Sequence, residues 1–177
     1  MPLGLHHSHF ELFGLPVAFE IDLNHLDRVY RHLQAEVHPD RFASASDSDR
    51  RLSMQWATHA NEAYQTLKNP LTRARYLLHL QGIDTQEESN TAMPAEFLMR
   101  QMEWREAIEE AQAAADVEAL EALSHELRHE SKEMQAELST TLDERHDYPS
   151  ACETVRKLRF LDKVQAEIDQ AIEALDQ

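Results

Sequence analysis

A chain of 177 residues with 42% hydrophobic and 28% charged side chains has enough apolar surface for one sizeable core or two small ones, which excludes a disordered or fibrous protein. No apolar run is long enough to span a bilayer, and the first residues carry neither a charged leader before an apolar block nor a basic, Ser-rich transit pattern, so a cytoplasmic protein is expected. Cys152 is the only cysteine, which excludes an internal disulfide and a Cys-rich zinc site.

The net charge of -16 is unevenly placed. Residues 1 to 80 carry 8 Lys+Arg against 9 Asp+Glu, and residues 81 to 177 carry 9 against 24, for net charges of -1 and -15. The asymmetry predicts two units, and the acidic second one repels nucleic acid and anionic lipid. Few glycines and few β-branched runs predict an all-α fold with no sheet.

Taken in chain order, Phe10 to Pro16 reads as a short apolar turn of helix closed by Gly14 and Pro16. A longer helix starts after Asp22 as N-cap, with Leu26, Val29, Tyr30, Leu33 and Val37 on its buried face. Arg28, Arg31 and Ala35 lie on the far side, with His32 beside them, and make a modestly basic outer face. Pro39 biases His38 away from the helical region, so His38 to Asp47 is expected as a loop. Helix resumes near Asp47 or Ser48, with Leu52, Trp56, His59, Ala63 and Leu67 as its stripe, and Asn69-Pro70 stops it. The pattern predicts two antiparallel helices joined by an exposed His38-Pro39-Asp40 loop. A third helix, Leu71 to Leu80, carries Tyr76, Leu77, Leu78 and Leu80 and ends before Gly82.

The polar run that follows reads as a linker, giving boundaries of 1–82, 83–93 and 94–177. Pro94 suits a first helical turn, and the helix it opens is expected to run to about Ala115, burying Phe97, Trp104, Ile108, Ala111 and Ala115. Leu98, Met99 and Met102 fall on the other side, flanked by Glu103, Glu106 and Glu110. An apolar patch opposite the core and rimmed by carboxylates predicts a partner site. Leu120, Leu123, Leu127, Met134, Leu138 and Leu142 trace one further stripe, and Leu158, Leu161, Ile168, Ile172 and Leu175 another, enough to close a three-helix bundle. Phe160 sits on the edge of the last stripe, placed either to finish the core or to reach a ligand. Arg156, Lys157 and Arg159 are expected to be solvated or paired with glutamates of neighbouring helices. His6, His7 and His9 lie close together, but no carboxylate or cysteine at ligand spacing completes a metal site, so neither metal nor cofactor is expected.

Helix, His38-Pro39-Asp40, helix, then Glu62 to Pro70 and Arg73, Arg75 and Tyr76, resembles the J-domain of DnaJ-type co-chaperones. Phe97-Leu98-Met99 with Glu103, Arg105 and Glu106, and the run Val155 to Lys163, resemble the HscB family, the J-proteins of bacterial iron–sulfur cluster assembly. The resemblance implies docking on a DnaK-type chaperone, HscA-like, with stimulation of its ATPase. The carriers would be His38, Pro39 and Asp40, with Arg28, Arg31 and Arg41 giving electrostatic steering. It also implies binding of an IscU-like scaffold protein by Leu98, Met99, Met102, Glu103, Glu106, Glu110 and Phe160. Asp27 and Glu36 thin the basic face relative to the common J-domain pattern, which fits a specialised chaperone better than a general DnaK. A general J-domain adaptor for DnaK with a different client is the alternative within the class. The competing class is a small helical hydrolase or metal-dependent enzyme using His38 and Asp40 with acidic residues of the bundle, and it lacks a nucleophile motif, a phosphate loop or paired metal ligands.

Overall fold

The computed structural model describes residues 7–176. Every regular element among them is helical, and the chain divides into two compact units, Met1–Gln81 and Gly82–Gln177.

In the first unit a short helix α1, His9–Leu12, is capped by Ser8, whose hydroxyl accepts the Glu11 amide. It drives Phe10 into the core beside Phe13 and Phe19, all three fully buried. The turn after it needs Gly14 at φ +63°, a left-handed conformation that costs glycine no Cβ clash. Helix α2, Leu23–Glu36, begins at the Asp22 cap as expected, and its carboxylate accepts the His25 amide at 3.0 Å. Helix α3, Asp47–Lys68, is capped by Ser46, and α4, Pro70–Leu80, by Asn69, whose side chain accepts the Leu71 amide at 2.8 Å. Asn69-Pro70 therefore ends one helix and opens the next, because Pro70 occupies a first-turn position where no amide hydrogen is required.

The α2–α3 pair is antiparallel and closed by a polar seam. Lys68 donates to Asp27 at 2.7 and 3.0 Å, Tyr64 donates to the same carboxylate at 2.8 Å, and Tyr30 stacks on Tyr64 at 3.9 Å between ring centroids. This seam explains why the expected apolar face of α2 is only partly buried, with Leu26 its one fully buried member.

The stripe expected on α3 is out of phase at its N-terminal end. Leu52 is 45% exposed and Ser53 is buried in its place, because the Ser53 hydroxyl reaches back to the Val37 carbonyl at 2.8 Å. Leu80 is exposed as well, at the end of α4. Arg73 is buried where a cation is costly, and it is accommodated by a 2.8 Å bond to the Leu67 carbonyl and by the Phe19 ring 4.6 Å away.

The second unit is a three-helix bundle of α5, Ala95–Ala113, α6, Val117–Ser139, and α7, Tyr148–Leu175. Phe97, Trp104, Ile108 and Ala111 are buried as expected from α5. Ala115 is not: the helix ends at Ala113, Ala115 takes φ 50°, and the Asp116 amide turns back to the Ala111 carbonyl at 2.9 Å. Leu120, Leu127, Met134 and Leu138 from α6 meet Leu158, Leu161, Val164 and Ile168 from α7 in the core. A π-helical turn, Thr140–Glu144, follows α6 and buries Leu142. Arg156 and Arg159 do not pair with glutamates of neighbouring helices. They hold the segment before α5, Arg156 bonding the Thr85 carbonyl at 3.1 Å and Arg159 the Glu88 carboxylate at 3.5 Å. Lys157 pairs within its own helix, with Glu153.

Candidate functional site

Two surfaces stand out, one in each unit. In the first, α2 ends at Glu36 with Val37 as its C-cap, and His38 takes φ -62°, ψ 134°, as proline at the next position demands. The expected plain loop contains a single 3-10 turn, Pro39–Phe42, closed by the Arg41 amide on the His38 carbonyl at 3.0 Å. His38 caps that turn with its side chain: Nδ1 accepts the Asp40 amide at 3.2 Å. The Asp40 carboxylate faces solvent with its side chain 92% exposed, and the Ser53 bond to Val37 fastens the turn to α3.

The turn thus presents a solvent-facing carboxylate, 3.5 Å from the His38 ring, which suits bidentate recognition by an arginine of another protein. Arg28, Arg31 and Arg41 are exposed, the first two one helical turn apart on α2. Asp27, next to Arg28, is hydrogen-bonded by Lys68 and Tyr64 and also interacts with Arg31. Those hydrogen bonds, the Lys68 one foremost, hold its carboxyl below the ordinary carboxylate range. Glu36 is also engaged, 3.1 Å from His32.

In the second unit, Leu98, Met99 and Met102 are 43%, 63% and 64% exposed, and Glu103, Glu106 and Glu110 are exposed alongside them. The helix is clamped from behind. Arg100 bonds Glu130 at 2.5 Å and lies 4.9 Å over the Trp104 ring, while the Trp104 indole donates to Glu126 at 3.3 Å. Arg100 and Trp104 face α6, so the methionines and Leu98 are forced outward. Phe160 resolves both ways at once: it meets Phe97 edge-on at 6.0 Å and remains partly exposed. The Arg105 guanidinium lies 5.7 Å from its centroid, and Lys157 covers the Phe97 ring at 5.8 Å. The contact between Arg105 and Phe160 was not legible in the sequence, because it joins two helices and leaves no periodic signal within either.

Among the described residues no group of three or more His, Cys, Asp or Glu is placed to hold a metal ion, and no helix is long and apolar enough to cross a membrane. His6 lies outside the described residues. His125 is exposed, and His129 pairs with Glu133 at 3.3 Å.

Comparison with known proteins gives the family. Residues 93–169 match the family model described as the HSCB C-terminal oligomerisation domain. A co-chaperone protein HscB homolog of Aromatoleum aromaticum is 52% identical over 176 residues, covering 99% of both chains. Chaperone HscB from Vibrio cholerae superposes with a TM-score of 0.84 at 40% identity, covering 96% of this chain and 99% of that one. Human co-chaperone protein HscB superposes with a TM-score of 0.87 at 30% identity, covering 96% and 84%. Near-complete coverage at these identities establishes that this chain belongs to the HscB family of J-domain co-chaperones.

Proposed function

We propose that the protein couples an iron–sulfur scaffold of the IscU type to an HscA-like chaperone of the DnaK class during cluster maturation, without chemistry of its own. The first unit, residues 1–82 in this reading, engages the chaperone through His38, Pro39, Asp40 and Arg41 with Arg28 and Arg31 steering the approach. The third segment, 94–177, receives the scaffold on Leu98, Met99, Met102, Glu103, Glu106, Glu110 and Phe160, and residues 83–93 join the two. The cytoplasm is the compartment where such partners meet.

The observation that carries the reading is the 92% exposed Asp40 carboxylate, 3.5 Å from the His38 ring on a short turn tied to α3, beside the exposed Arg28, Arg31 and Arg41. A catalytic use of His38 and Asp40 would call for a pocket around them, and both are exposed. Single-turnover ATP hydrolysis by an HscA-like chaperone provides the test. Stimulation by the unaltered chain, lost in His38→Gln and in Asp40→Asn, is expected. Absence of stimulation, or equal stimulation by His38→Gln, refutes the adaptor reading. Parallel assays with a general DnaK are expected to give the weaker stimulation.

A further inference from the structure

Helix α5 is fastened to α6 by Arg100, Trp104 and the glutamates they reach, while its contacts with α7 are sparse. The result is a cleft of about 360 Å³ between α5 and α7, beginning at Arg105 and running past Ile108 and Gln112 toward Ala174. Its floor is apolar, made by buried Ile108 and Ala171 with the small Ala174 leaving the far end open. Its walls carry Glu109 and Glu167, and neither carboxylate has an ion-pair or hydrogen-bond partner among the described residues. Gln112 and Gln170 add amide oxygens as acceptors. Arg105 is the one cation lining the cleft, at the Phe160 end, with its guanidinium toward that ring.

We infer that this cleft is a second pocket of the scaffold-binding surface and takes a lysine or arginine side chain of the scaffold. The inference rests on the scaffold reading given above. The chemistry selects the occupant. A long basic side chain lays its methylenes on Ile108, Ala171 and Ala174 and brings its charged head to Glu109 and Glu167. An anionic group is repelled by the two carboxylates, and a wholly apolar side chain would desolvate them without giving a hydrogen bond in return. Position selects the partner. Arg105 and Glu109 follow Leu98 by seven and eleven residues, so they continue the same stripe of α5, and Phe160 links that stripe to α7. A scaffold segment lying on Leu98, Met102 and Phe160 runs directly into the cleft.

Titration calorimetry of the full chain with an IscU-type scaffold separates the cleft from the patch. Glu109→Gln combined with Glu167→Gln is expected to weaken binding about tenfold, the scale of one charge-assisted contact, and to reduce its salt dependence. Ala174→Trp, at an exposed position, is expected to weaken it by filling the far end with unchanged circular dichroism and thermal unfolding. Wild-type affinity in both of these variants, with binding lost in Leu98→Ala/Met102→Ala, overturns the cleft and leaves the patch standing. Weakened binding in the cleft variants with Leu98→Ala/Met102→Ala unaffected supports the cleft and removes the patch. No binding by the unaltered chain overturns both.

Discussion

The turn at His38 to Asp40 is held by groups close to it in the chain: the Asp40 amide rests on His38 itself, and the Ser53 hydroxyl lies sixteen residues from the Val37 carbonyl it bonds. The α5 patch is held from a distance. Arg100 reaches Glu130 on α6, and Phe160 comes from α7 to meet Phe97 and Arg105. The first surface is a polar turn whose shape is written in adjacent letters; the second is an apolar face whose outward direction depends on what two other helices pull inward. Local hydrogen bonds can specify a turn, whereas exposing leucine and methionine requires a competing set of contacts to hold the helix in that rotation.

That contrast is open to direct attack, and the largest effect is expected in the supports of the second surface. Leu138→Ala removes a fully buried side chain from the bundle and is expected to cost about 2–5 kcal/mol, read as a lowered midpoint in denaturant unfolding. By comparison Leu98→Ala/Met102→Ala, at exposed positions, is expected to leave unfolding within about 0.5 kcal/mol per substitution while scaffold affinity falls tenfold or more. A large loss of stability in that double variant would mean the patch belongs to the core. Arg100→Ala removes a partly exposed clamp and is expected to cost no more than about 1 kcal/mol, with scaffold binding weakened more than stability because α5 is freed to rotate.

The smallest effect is a pH dependence confined to the first unit. Burial first, then the neighbouring His59, lowers the pKa of His9 below 6.5, with Glu62 opposing. The ring is stacked on Tyr76 at 4.3 Å and lies 5.7 Å from His59. The unfolded chain therefore takes up a proton that the folded unit resists, so this contribution to stability is present above pH 6.5 and lost as pH falls from there through the folded value. His9→Phe is expected to flatten the unfolding midpoint between pH 7 and pH 5. A midpoint just as steep in that variant would assign the dependence to other groups.

Much of the architecture was legible because helices announce themselves locally. Asp22 and Asn69 read as caps and act as caps, and the Phe97, Trp104, Ile108 stripe is buried as its spacing requires. The failures share a cause. Leu52 and Ala115 were placed inside by periodicity, but a stripe fixes only the average direction of a helix face. At helix ends, hydrogen bonding decides instead: Ser53 is drawn in by the Val37 carbonyl, and the chain leaves the helix at Ala113 before Ala115 can be buried. The pairing of Arg156 and Arg159 with the segment at Thr85 and Glu88 was illegible for another reason, since contacts across some seventy residues leave no periodic trace.

The sequence by itself determined that the chain is all helical, that its charge is concentrated in the second half, and that proline after His38 breaks the helix and exposes a turn; each follows from propensity, counting or the backbone restriction that proline imposes. Only the tertiary structure decided that Asp27 is neutralised by Lys68, that Phe160 joins the α5 surface rather than closing the core alone, and that an open, unpaired cleft remains between α5 and α7. These are products of side chains from separate helices meeting at 3 to 6 Å, where charge and packing are set by neighbours in space.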